Sequence, residues 1–265
     1  MAKTTENVDA AMVSIYCKTL RLPAVARHFQ TLAQQAMQEK KSYAQYLETL
    51  LEIEVEEQEC HAVQRRMQEA KFPRMKTLEE FDFARNPLVN PASIRQLAEG
   101  DYIKRSEPVV FIGGCGTGKT HLLTALGVAA CKQKRRVRFT TAANLINELI
   151  EAQRGGVLRR TLARWSRYEV LAIDEVGYVP FVETGAELLF QVIDERAEKA
   201  AILLTTNLSF SEWTQVFPNQ RLCKALLDRI TDKAHIIETG KDSFRFWRTM
   251  EQKNKKKPGK GEKTS

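Results

Sequence analysis

Residues Gly113-Gly-Cys-Gly-Thr-Gly-Lys-Thr120 satisfy the pattern G-x-x-x-x-G-K-[ST]. A short β-branched and aromatic run, Val109-Val-Phe-Ile112, precedes them and a helix-forming stretch follows. Strand, glycine-rich turn and helix in that order restrict the chain to an α/β design that cradles phosphate. Glycines at 113, 114, 116 and 118 allow a tight turn that aims backbone N–H groups at phosphate oxygens, and the helix adds its positive end. A nucleoside triphosphate is therefore the expected ligand, held by Gly113, Gly114, Cys115, Gly116, Thr117, Gly118, Lys119 and Thr120. Lys119 is expected on the β- and γ-phosphates, and the hydroxyl of Thr120 on Mg²⁺.

The alternation of segments carries the expectation further. Strands are read at 109–112, 136–140, 169–173, 200–205 and 235–239, and helices at about 119–131, 142–151, 157–167, 184–198 and 220–230. That rhythm predicts a mostly parallel sheet with helices on both faces. Val170-Leu-Ala-Ile-Asp174-Glu175 is an apolar strand ending in two carboxylates, which it delivers to the carboxyl edge of such a sheet. Alone, an acidic pair there is commonly a solvated turn or a helix cap. Beside the phosphate loop, Asp174 reads as the holder of Mg²⁺ and Glu175 as the group that polarises the attacking water. The next strand ends in Thr205, Thr206 and Asn207; Asn207 is either a turn cap or a donor to the γ-phosphate or its attacking water. A strand between the phosphate-loop helix and the Asp174 strand, with a glutamate beside the aspartate, fits ATP hydrolysis; nucleotide kinases show a different order and an Arg-bearing lid.

Ahead of this region, residues 8–71 read as helical. Val25, Phe29, Leu32 and Ala36 share one face, and Ser42 with Gln45 forms a capping box opening a second amphipathic helix through Leu47, Leu50 and Leu51. Phe72-Pro73 ends the helical stretch, which sets expected domains at 1–72, 73–250 and a lysine-rich tail at 251–265. The 41 Lys and Arg against 33 Asp and Glu give a net charge of +8, which points to a polyanionic partner. The tail, with six lysines against two glutamates, holds half of that excess. Five cysteines without metal-ligand spacing suit a reducing cytoplasmic home, and without a signal pattern or a long apolar run no membrane role is expected.

The motifs together resemble one family. Cys17-Lys-Thr-Leu-Arg-Leu22, Lys71-Phe-Pro73, Lys76-Thr-Leu-Glu-Glu-Phe-Asp-Phe83, Gly118-Lys-Thr-His-Leu122, Ile173-Asp-Glu-Val-Gly-Tyr178, Leu204-Thr-Thr-Asn-Leu208 and Ala225-Leu-Leu-Asp-Arg-Ile230 are similar to those of the IstB-type AAA+ ATPases, helpers of bacterial insertion sequences related to the DnaC helicase loader and the DnaA initiator. The resemblance covers nearly everything from Cys17 to Trp247. It implies a small all-α N-terminal domain, an AAA+ domain of the additional-strand, catalytic-glutamate type, ATP- and DNA-dependent self-assembly, and delivery of a transposase to target DNA. Position by position it makes 113–120, with His121 behind, the Walker A motif, Asp174 and Glu175 the Walker B motif, and Asn207 sensor 1. Arg229 becomes the arginine finger acting on a neighbouring subunit, with Arg221 second; the alternative for Arg229 is a local pair with Asp232. At the C-terminal end Phe244 stands where the family carries Tyr, and Gly240 is one residue further from Ser243, so Arg245 is given no sensor-2 role.

Two basic clusters are available to DNA. Arg160, Arg164 and Arg167 fall on one face of the helix leading into the Asp174 strand, with Arg154 and Arg159 nearby; Lys132, Lys134, Arg135, Arg136 and Arg138 form the other. The first is favoured, and the N-terminal segment is read as basic and as gripping the DNA backbone, docking a protein partner, or both. The leading reading is a DNA-stimulated ATPase that self-assembles on duplex DNA, largely without sequence preference, for a cognate transposase. A DnaC-like helicase loader is the alternative, and a non-hydrolysing DNA-bending scaffold is disfavoured by Glu175.

Overall fold

The computed structural model describes residues 2–178, 181–241 and 243. The chain divides into two compact units, 1–65 and 66–265. The first holds α1 (Ala2–Leu20), α2 (Pro23–Gln38) and most of α3 (Tyr43–Ala70). The predicted capping box is present: Gln45 N–H donates to Ser42 Oγ at 3.3 Å and Ser42 N–H to Gln45 Oε1 at 2.9 Å. Val25 and Leu50 centre a small core with Phe29, Leu32 and Tyr46 packed on it. The amino end of α2 begins with Pro and has no side-chain cap of its own. The buried carboxylate of Glu54 takes that role from α3, accepting Ala24 N–H at 2.8 Å and Val25 N–H at 3.1 Å.

One expectation here is corrected. Of the three leucines assigned to the apolar face of α3, Leu50 is buried, whereas Leu47 and Leu51 are exposed and continue an outward row from Tyr43 to Val55. Buried Glu54 and Leu50 occupy the inward positions, and the row at 43, 47, 51 and 55 lies beside them at i,i+4 spacing.

The second unit continues through α4 (Pro91–Ala98), α5 (Asp101–Lys104), β1 (Val109–Ile112), α6 (Lys119–Lys132), β2 (Val137–Thr141) and α7 (Ala142–Arg154). Then come α8 (Leu158–Trp165), β3 (Val170–Val176), α9 (Glu183–Arg196), β4 (Ala201–Thr206), α10 (Gln220–Thr231) and β5 (His235–Glu238). Asn90 caps α4, its Oδ1 accepting Ala92 N–H at 2.9 Å ahead of Pro91. The five strands form one parallel sheet in the order β2-β3-β4-β1-β5. A sheet buried on both faces needs strands that are apolar throughout. Accordingly Val110, Leu171, Ile173, Ile202 and Leu204 pack toward α7, α8, α9 and α10, while Val109, Phe111, Val170, Ala172 and Leu203 pack toward α4, α5 and α6. At the foot of the first layer the buried guanidinium of Arg196 donates to Trp165 O at 3.0 Å and Tyr168 O at 2.6 Å, fixing the turn from α8 into β3. Burial lowers its pKa to about 10. Among the described residues no helix is long and apolar enough to cross a membrane.

Candidate nucleotide site

The sheet order puts β4 between β1 and β3, so the carboxyl ends of these three strands present the phosphate loop, the two acidic residues and Asn207 side by side. Gly116 and Gly118 have φ of 81° and 96°, values costly for residues with a Cβ. A Cβ on Gly118 would also stand 2.7 Å from the Phe81 ring. Lys119, buried at the start of α6, reaches back along the loop and donates to Gly113 O at 2.8 Å and Gly114 O at 2.6 Å. One residue on, Thr120 Oγ1 lies 3.1 and 3.0 Å from the two carboxylate oxygens of Asp174, which is 4% exposed.

The end of β3 is irregular. Ile173 pairs with Leu204 and Val176 with Thr206, so Asp174 and Glu175 together stand opposite Thr205 alone. Glu175 takes a left-handed φ of 62° and is exposed. Asn207 follows β4, and its Nδ2 lies 3.5 Å from Cys115 Sγ in the phosphate loop. Lys119, Thr120, Asp174, Glu175 and Asn207 are thus brought to one edge. His121 faces another way: its Nε2 is 2.8 Å from Thr77 O and its ring meets Phe81 edge-on at 5.2 Å.

Three supports were not evident from sequence. Asn86 Nδ2 donates to Thr117 O at 3.0 Å and to Thr239 O at 3.2 Å. The hydroxyls of Thr117 and Thr239 meet at 2.6 Å, and Gly114 N–H donates to Gly240 O at 2.7 Å. The loop is therefore stitched both to the segment before β1 and to the end of β5. Phe81 is the second support and Thr205 the third. Thr205 carried a signal as a polar residue closing an apolar strand, and Phe81 as part of the Lys76–Phe83 motif.

Other expected residues lie apart from this edge. Arg229, in the last turn of α10, lines a cleft with Pro108 and Ile202, at the amino edge of the sheet. Its Nε donates to Asp194 of α9 at 2.8 Å, a pair between helices in place of the alternative local pair with Asp232. Arg221 sits exposed in the first turn of α10. The arginines of the favoured basic cluster are all exposed, but they do not share one helix face. Arg154 closes α7; α8 ends at Trp165 with Arg167 beyond it, its N–H turned to Arg164 O; and Arg164 is paired with Glu148. The second cluster is more engaged: Arg135 pairs with Glu169 at 2.7 Å, and Arg138 donates to Glu69 O at 3.2 Å while lying 5.7 Å over the Trp165 ring. Arg245 and Phe244 fall outside the described residues.

The residues present fit the groups that the loop implies. A hydroxyl and a carboxylate within 3.1 Å are hard oxygen donors suited to Mg²⁺, and Gly116 and Gly118, at left-handed φ, allow the tight turn that a phosphate-cradling loop requires.

Fold and site together define a phosphate-loop protein of the AAA+ class. The chain belongs to the IstB-like ATP binding protein family, whose model matches residues 15–253. It is 36% identical over 242 residues to the insertion sequence IS5376 putative ATP-binding protein of Geobacillus stearothermophilus, covering 91% of this chain and 96% of that one. It is 33% identical over 247 residues to the insertion sequence IS21 putative ATP-binding protein of Pseudomonas aeruginosa, covering 93% and 91%. Among solved structures, AMPPCP-bound DnaA from Aquifex aeolicus superposes with a TM-score of 0.55 at 19% identity, over 73% of this chain and 58% of that one, a likeness of fold.

Proposed function

We propose that this chain is the ATP-driven helper of an insertion-sequence transposase: with ATP it assembles with copies of itself on duplex DNA, offers that DNA to the transposase, and hydrolyses ATP to let go. The observation that carries the reading is the meeting of the Thr120 hydroxyl with the Asp174 carboxylate at 3.0 Å behind the phosphate loop, with exposed Glu175 next to them. Relatives that match nearly end to end carry insertion-sequence names, which supports the helper over a helicase loader.

In this reading Lys119 exchanges the carbonyls of Gly113 and Gly114 for the β- and γ-phosphate oxygens, joined by the loop N–H groups and the amino end of α6. Thr120 and Asp174 would hold Mg²⁺, which would supply positive charge to offset that of the phosphates. Glu175 orients the attacking water and accepts its proton; the water oxygen bonds to the γ-phosphorus as the bond to the β,γ-bridging oxygen breaks, and ADP leaves with that electron pair. Asn207 donates to the γ-phosphate or to that water. Arg229 lies at the opposite edge of the sheet from its own phosphate loop, which suits a role on the nucleotide of a neighbouring copy once its pair with Asp194 opens.

Charge divides the molecule. Residues 1–65 hold seven Lys and Arg against nine Asp and Glu, a net of −2, so the N-terminal unit is not the basic element it was expected to be. The excess lies in 66–265, with 34 against 24. This supports DNA contact by the ATPase unit, chiefly through Arg154, Arg159, Arg160 and Arg167, and contact with the transposase through the N-terminal unit. The exposed row Tyr43, Leu47, Leu51 and Val55, bordered by Glu48, Glu52 and Glu56, suits a protein surface with basic flanks.

Lys119→Ala tests the switch. ATP affinity is expected to fall about a hundredfold, from losing charge-assisted bonds of about 1.5–3 kcal/mol each, and DNA-bound assembly is expected to disappear with it. Titration of fluorescent ATP, with sedimentation on a duplex, measures both. A variant that still assembles on DNA as the wild type does would show that the phosphate loop is not the switch.

A further inference from the structure

We infer that Thr205 is a positioning residue for hydrolysis, acting through the two carboxylate residues opposite it; the inference rests on the hydrolytic reading above. In a parallel sheet each residue of β3 should meet one residue of β4, yet between the pairs Ile173–Leu204 and Val176–Thr206 two residues face one. Such a bulge bends its strand, re-aims a side chain and leaves one backbone N–H without a ladder partner. Here that N–H belongs to Glu175, and the Thr205 hydroxyl takes it at 2.9 Å. The same hydroxyl donates its only proton to Asp174 Oδ1 at 2.5 Å. One oxygen, on a residue 1% exposed, therefore holds both members of the acidic pair.

The arrangement separates the tasks of the pair. Asp174 is kept inward on the Thr120 and Thr205 hydroxyls, while Glu175 is turned through a left-handed φ of 62° and its side chain is sent outward. A left-handed non-glycine residue is strained and persists only where its surroundings over-determine it. The bond from Glu175 N–H to Thr205 supplies that determination. Valine at 205 keeps the shape and removes both bonds; serine keeps both.

The test compares Thr205→Val and Thr205→Ser with wild type in ATP affinity, single-turnover phosphate release on duplex DNA, and hydrogen exchange of the amide of Glu175. For Thr205→Val, phosphate release is expected to fall about ten- to a hundredfold, the scale of a misplacement near 1 Å, with ATP affinity within about twofold and the Glu175 amide exchanging faster. Thr205→Ser is expected to restore the rate to within about threefold and the protection in full. Normal release by the valine variant, or equal losses for valine and serine, overturns the positioning role; an unchanged Glu175 amide in the valine variant overturns the bridge. A wild type that releases no phosphate overturns the hydrolytic reading instead, and exchange at Glu175 then still decides whether the bridge exists.

Discussion

Asn86 joins three segments distant in sequence with a single amide. Its two donor contacts run to carbonyls 31 and 153 residues away, so substitution by Ala leaves Thr117 O and Thr239 O without that donor. A cost of about 1–3 kcal/mol is expected, lowering Tm by about 2–4 °C per kcal/mol in a unit of this size, together with weaker ATP binding. Asn86→Asp should be worse than Ala, because it sets a carboxylate against two carbonyls; thermal unfolding that ranks Ala as the worse change would contradict the clamp. His121 makes a second prediction at this scale. Burial, opposed by the Thr77 carbonyl, holds its pKa below the ordinary value, so the folded chain favours the neutral ring. As pH falls through the ordinary histidine range the unfolded chain takes up the proton first. The stability contribution is therefore complete above that range and is lost on acidification. Thermal melts between about pH 7.5 and about pH 5.5 should show a smaller loss for His121→Gln than for wild type.

At the scale of elements, most of the ATPase unit was legible because its signals are local. Apolar strands buried on both faces, the loop Gly113–Thr120 and the Ser42–Gln45 box each depend on neighbours a few residues away, and each of these elements lies within a few residues of its expected place. What was not legible depends on pairing across the fold: the bulge that makes Thr205 face two residues, the Asn86 clamp, and the partner of Arg229, found on α9 rather than three residues on. Leu47 and Leu51 were misread because an apolar row at helical spacing does not say whether the protein's own core or another surface covers it. The same distinction sorts the arginines of α8. Arg159→Ala and Arg160→Ala should each flatten the salt dependence of duplex binding by about one unit of log–log slope, while Arg164→Ala, whose charge Glu148 already meets, should change it less. Anisotropy titrations across a salt series measure these slopes, and slopes unchanged from wild type for all three variants would remove α8 from the DNA surface.

For the whole molecule, the division of charge and the placing of Arg229 suggest how one chain serves several partners. In the proposed function, an ATPase unit with a basic excess would track the phosphate backbone, an acidic N-terminal unit with an apolar row would meet protein, and an arginine at the far edge of the sheet would link each copy to its neighbour's nucleotide. All of this depends on ATP being bound and then consumed at the edge where Thr120, Asp174 and Glu175 meet. The most direct measurement is phosphate release from ATP with and without duplex DNA, for wild type and Glu175→Gln, with assembly on the DNA followed in parallel. DNA should accelerate release by the wild type, and the Gln variant should assemble on DNA with ATP yet release phosphate about a hundredfold more slowly. Release that ignores DNA, or a Gln variant that turns over like the wild type, would contradict an ATP-driven clamp on DNA.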